Sequence, residues 1–139
     1  MRRKSQNTSR GGFTLVELVI VVLIIGILAA IAAPKLFDTS TDAKANGTRQ
    51  SLSVVRNAIQ LHKAQVGTYP GDGGTEADLK ADLKPYLQGP FPRAEVGNVA
   101  DTVRIQTSGA ALAASGTESW AYDNTTGEFI VNHASYSTW

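Results

Sequence analysis

Few residues in this chain have the type and spacing to do chemistry. The most conspicuous is Glu17, the single acid in the run GGFTLVELVIVVLIIGILAAIAAP, Gly11 to Pro34. An ionised carboxylate in hydrocarbon is costly, so a Glu kept there calls for a cationic partner. A second acidic group, Asp72, Glu76 and Asp78 around Gly73-Gly74, offers oxygen donors of the kind a hard cation takes, but it reads more simply as a turn entering a helix N-terminus. The two histidines, His62 and His133, stand in no ligand or triad spacing and are expected to be packed or solvated. No phosphate-cradling loop follows a strand and no convergent set of titratable groups is visible, so the chain is read as a non-enzyme. With no cysteine, disulfides and thiolate metal sites are excluded.

The elements that must position Glu17 come next. Residues 1–12 carry Arg2, Arg3, Lys4 and Arg10 and no acid, whereas residues 13–139 hold nine Lys/Arg against twelve Asp/Glu. A body with that acidic balance lacks the clustered cations that nucleic-acid binding requires, and no nucleic-acid partner is expected. Between these regions, Phe13 to Ala33 is 21 residues of almost purely apolar sequence. As a helix that is about 31 Å, the thickness of a bilayer core. The basic side before it is expected in the cytoplasm and everything after it outside.

Three readings of this segment are open. A secretory signal peptide would use Ala29-Ala30-Ile31-Ala32-Ala33 as its cleavage site, although the apolar stretch is longer than such peptides need. A plain signal anchor is the second. Both leave Glu17 without a purpose. In the third, the combination of a short basic leader ending in Gly12, an aromatic Phe13, a Glu four residues on and a long apolar helix with Pro34 at its far end resembles the leader of type IV pilins and of the pseudopilins of type II secretion.

That resemblance implies processing by a prepilin peptidase between Gly12 and Phe13, with N-methylation of Phe13. A glycine before the cut suits a protease, because extended backbone can approach without a side-chain clash. It also implies a use for Glu17: to neutralise the new amine at Phe13 of a neighbouring subunit and so register the helices during assembly. Two charges buried together cost far less than either alone. Pairing of Glu17 with the amine of its own chain is the local alternative. The domains expected are a leader, 1–12, a transmembrane and assembly helix, 13–33, and an exported head, 34–139, that includes the distal half of the long helix.

Past Ala33 helical periodicity continues. Leu52, Val55, Ile59, His62 and Val66, with Ala58 and Leu61 beside them, form an apolar stripe. Gly26 and Pro34 are the expected kink points, and Asn46-Gly47 lowers helix propensity. The breakers in GTYPGDGG, Gly67 to Gly74, end the helix. Thr75-Glu76-Ala77-Asp78 then looks like a cap for a short helix over 76–87. Strands are expected at Thr102–Gln106, Ser119–Asp123 and Glu128–Asn132, the last two joined as a hairpin through Asn124-Thr125-Thr126-Gly127. Residues 109–116 read as a mobile loop. The expected fold is α+β: a long N-terminal helix, transmembrane in its first half, and a small C-terminal antiparallel sheet laid on its distal half.

The blocks GTYP, LKPYLQGPFP and SWAYDNTTGEFIVN are similar to the head of major pseudopilins of type II secretion, and the lack of cysteine favours these over type IV pilins. The function implied is a structural subunit of a type II secretion pseudopilus, with a type IV pilin-like subunit and a non-assembling membrane-anchored binding domain as alternatives. The partners implied are identical or related pseudopilin subunits, the prepilin peptidase and the inner-membrane assembly platform. The implied location is the bacterial inner membrane, with the N-terminus cytoplasmic and the head periplasmic. Major pseudopilins commonly hold calcium in an acidic loop after the first head strands. Here the corresponding stretch, Thr107 to Glu118, has one carboxylate, Glu118, with Asp123 and backbone carbonyls as further donors, so no cofactor is expected and bound calcium is the alternative.

Overall fold

The computed structural model describes residues 12–139, and the basic leader with Arg2, Arg3, Lys4 and Arg10 lies outside them. In chain order the elements are helix α1 (Leu15–Val66), helix α2 (Glu76–Leu83), a 3-10 turn over Lys84–Tyr86, and strands β1 (Val103–Gln106), β2 (Trp120–Asp123) and β3 (Phe129–Val131). This is the α+β arrangement the sequence implies. The chain divides into two compact units after Ser40.

In the first unit the helical part of α1 satisfies its backbone internally and leaves its side chains outward. All residues from Phe13 to Leu36 are exposed. The segment is long and apolar enough to cross a membrane, and none of it is buried inside protein. Gly26 and Pro34 both lie within α1, where Pro34 leaves the Ala30 carbonyl without its helical N–H.

In the second unit α1 supplies one wall of a core. Thr48, Leu52, Val55, Ala58, Ile59 and His62 are buried, a face repeating every three or four residues. Leu61 and Val66 are 51% and 59% exposed, which corrects the stripe expected from sequence. Leu61 stands about two and a half turns from Leu52 and so faces the opposite way; Val66 ends the helix. Beside this face Arg49, Arg56 and Lys63 recur every seven residues and fasten the head to α1. The Arg49 guanidinium lies 4.1 Å from the Trp139 ring and Lys63 Nζ 3.7 Å from the Tyr69 ring. Between them Arg56 donates from Nε to the Phe129 carbonyl at 2.9 Å and from Nη2 to that of Trp139 at 2.8 Å.

Helix α1 stops at Gly67, whose φ of 91° is open to glycine at little cost. The following loop is tied down at three points. Tyr122 Oη donates to the Pro70 carbonyl at 3.0 Å, Asn124 Nδ2 to that of Gly71 at 2.8 Å, and the Gly71 N–H to Asp82 Oδ2 at 2.8 Å. Burial pushes the Tyr122 phenol well above its ordinary pKa, with Tyr69, Asp123 and Asp82 adding to the effect. Thr75 caps α2, its hydroxyl accepting from the Asp78 N–H at 3.2 Å. The helix expected over 76–87 is α2 plus the 3-10 turn, because Pro85 cannot donate to an α-helical ladder.

The sheet has the order β1-β2-β3. β2 and β3 form the expected antiparallel hairpin, but β1 pairs with β2 in parallel, so the sheet is mixed rather than antiparallel throughout. Parallel neighbours need a crossover of a dozen or more residues, and residues 107–119 supply it. Two cross-strand rows, Val103–Trp120–Val131 and Ile105–Tyr122–Phe129, share one face. Together with Leu52, Val55, Ala58 and Ile59 of α1 and Leu79 and Leu83 of α2 they make the core. At its centre Trp120 stacks on Phe129 with ring centroids 5.2 Å apart, and its Nε1 donates to the Pro92 carbonyl at 3.1 Å.

The crossover is not the free loop expected of its small residues. Arg104 Nη2 donates to the Ala113 carbonyl at 2.6 Å, the Ser115 N–H to Asn132 Oδ1 at 2.8 Å, and Asn132 Nδ2 to the carbonyls of Ser115 and Glu118 at 2.6 and 3.0 Å. Side chains from the sheet, invisible to a local reading of the loop, hold it.

Candidate functional site

Gly12, Phe13 and Thr14 precede the helix in irregular backbone. A Cβ built on Gly12 would meet nothing within 4 Å, and Phe13 is 82% exposed. The Gly12–Phe13 peptide is therefore outside the helical ladder and open on its sides. A bond locked into helical hydrogen bonds could not be drawn into an extended protease cleft without melting a turn.

Glu17 sits three residues into α1 and is joined to Thr14. The Thr14 N–H and hydroxyl both donate to Glu17 Oε2 at 2.9 Å, and the Thr14 hydroxyl accepts from the Glu17 N–H at 3.2 Å. This reciprocal pairing is a capping box, with Thr14 as N-cap and Glu17 three positions on. It satisfies donors that the first turn of any helix leaves without partners, a need that grows where water is absent. Thr14 is a functional residue that the charge of Glu17 alone does not point to. Its signal is Thr-x-x-Glu immediately before an apolar run.

The box occupies only one side of the carboxylate. Among the described residues Glu17 Oε1 accepts no hydrogen bond. A carboxylate has about four lone-pair sites, so an external ammonium can bind Oε1 without breaking the cap. Gly26 and Pro34 lie further along the same apolar helix, with open space around Gly26.

The other sequence candidates are engaged elsewhere. His62 is buried, its Nδ1 3.1 Å from the Thr68 carbonyl and its ring edge-on to Tyr86 at 5.7 Å. The His133 ring lies tilted against that of Tyr136, with centroids 5.0 Å apart. In the acidic cluster, Glu76 pairs with Lys80 at 2.7 Å and Asp78 accepts from the Thr75 hydroxyl at 2.6 Å. Glu118 Oε2 accepts from the Thr117 N–H at 3.1 Å. Asp123 is buried. Burial would raise its pKa, but bonds from the Gln106 side chain and the N–H groups of Thr126, Thr125 and Gly109 outweigh it, holding the carboxyl below its usual range.

Residues 7–33 match the family model described as the prokaryotic N-terminal methylation motif. The chain is similar to the type II secretion system core protein G of Pseudomonas aeruginosa, 31% identical over 88 residues, which are 63% of this chain and 60% of that protein. It is also similar to the fimbrial protein of Neisseria meningitidis serogroup B, 36% identical over 103 residues covering 73% and 59% of the two chains. A third relative is the type IV narrow pilus major component PilA5 of Thermus thermophilus, 41% identical over 59 residues, 42% and 51% of the two. The chain spans about half to three-fifths of the length of these curated relatives. No solved structure matches it. Residues 7–33 thus carry a prokaryotic N-terminal methylation motif, and the chain is similar over part of its length to the type II secretion system core protein G and to two pilus proteins.

Proposed function

We propose that the chain is a structural subunit of a type II secretion pseudopilus, without catalytic activity of its own. It enters the inner membrane through the apolar part of α1, with the leader cytoplasmic and the head periplasmic. A prepilin peptidase cuts Gly12–Phe13 and the new amine of Phe13 is methylated. Subunits then pack at the assembly platform into a helical filament, each Glu17 accepting the Phe13 amine of a neighbour at Oε1. Gly26 and Pro34 are the points where the apolar helix gives way if packing requires it.

The observation that carries this reading is the pairing of an open Gly12–Phe13 bond with a carboxylate that, among the described residues, is capped on one oxygen, at the start of a segment whose residues are all exposed through Leu36. An apolar surface of that extent needs lipid or other helices. The relatives named as a fimbrial protein and a pilus component favour a second reading, a type IV pilin-like subunit. The two differ in consequence: loss of the first stops export of proteins, and loss of the second removes surface filaments.

Mass spectrometry of the mature protein tests the processing step. The expected N-terminus is a methylated Phe13, and Gly12→Glu should leave the precursor uncut but still inserted. An N-terminus at Ala33 or Pro34 would replace this reading by a secretory signal peptide.

A further inference from the structure

The likeness to major pseudopilins raises calcium for the crossover between β1 and β2, and the residues present do not fit it. Among the described residues no three His, Asp or Glu side chains gather where they could hold a metal. The one buried acid near the crossover, Asp123, has both oxygens filled by protein donors. Oδ1 accepts from the N–H groups of Thr125 and Thr126 at 2.8 and 3.0 Å, and Oδ2 from the Gly109 N–H at 2.9 Å and Gln106 Nε2 at 3.0 Å. Calcium takes six to eight oxygens. A cation at Oδ2 would face N–H groups already pointing at that oxygen.

What stands there instead is one nitrogen. Gln106 Nε2 donates to Asp123 Oδ2 and also, at 2.6 Å, to the carbonyl of Ala110 in the crossover. The two acceptors fix the orientation of the amide, since its oxygen in that place would oppose both. A carboxylate on the central strand and a loop carbonyl, two negative groups that would otherwise repel, are bridged by the two N–H bonds of a neutral side chain. We propose that the Gln106 amide occupies the place of a bound cation, so that the crossover is closed by hydrogen bonds and the head folds and holds its shape without calcium. Gly109, which donates to the same oxygen, brings the loop backbone close enough for the bridge. At the other end of the crossover Asn132 repeats the device, accepting from Ser115 and donating to Ser115 and Glu118.

The proposal is independent of whether the chain forms filaments. It is tested on the full chain in detergent micelles, with thermal melting followed by the near-ultraviolet dichroism of the buried aromatics. The native chain should melt at the same temperature in millimolar calcium and in EDTA. Gln106→Ala should melt several degrees lower in both. Gln106→Glu sets a second carboxylate beside Asp123 and the Ala110 carbonyl, so it should melt lower in EDTA and recover in calcium. A native midpoint that moves by several degrees between the two conditions would overturn the proposal, as would a Gln106→Glu chain indifferent to calcium. Should both variants fail to fold, proteolysis of the native chain within residues 107–119 decides: equal rates with calcium and with EDTA support the proposal, and protection by calcium defeats it.

Discussion

The apolar unit of α1 and the head treat polar groups in opposite ways. In the head, buried donors and acceptors meet partners distant in sequence: Asp123 with Gly109, Arg56 with Phe129 and Trp139, Tyr122 with Pro70. In the apolar unit Glu17 has, among the described residues, one local partner, Thr14, which leaves Oε1 without a hydrogen bond. Large apolar side chains follow the same division, packed around Trp120 in the head and exposed from Phe13 to Leu36. A region that completes itself specifies a fold, whereas one that leaves both area and an acceptor open specifies an association. Losing a polar partner should therefore weaken folding in the head and assembly in the apolar unit.

The largest effect is expected at the open acceptor. Glu17→Val should still insert and be cleaved, since it removes a charge from the apolar segment, yet filament formation should be lost; electron microscopy of cells expressing the variant reads this directly. Normal filaments would show that Glu17 does no more than cap its helix. Trp120→Ala should remove about 3–5 kcal/mol of head stability, measured by denaturant unfolding, while the precursor remains cleavable at Gly12. The smallest effects contrast the two caps. Thr75→Ala should cost the head about 1 kcal/mol, whereas Thr14→Ala should leave head unfolding unchanged and lower only the yield of filaments. Equal head destabilisation by both would erase the distinction between the units.

Legibility divided along the same line. The apolar helix, its basic leader, Gly12-Phe13 and Glu17 could be read locally, because membrane length, charge asymmetry and motif spacing are properties of consecutive residues. The hairpin was equally local: Asn124-Thr125-Thr126-Gly127 lies between two apolar runs, and Gly127 closes the turn at φ 76°. Even Thr14 was there to be read, as half of a Thr-x-x-Glu box. Sequence alone thus marked a segment long and apolar enough to cross a membrane, and it placed Gly12-Phe13 and Glu17 at the start of that segment. Only the tertiary structure decided that β1 runs parallel to β2, that residues 109–116 are pinned, that Leu61 faces away from the core, and that the Gln106 amide meets Asp123. The strand direction depends on how a 13-residue crossover returns, and the pairing of Gln106 with Asp123 joins residues 17 positions apart. Such pairings arise when the sheet brings distant residues together, so no local window of the sequence contains them.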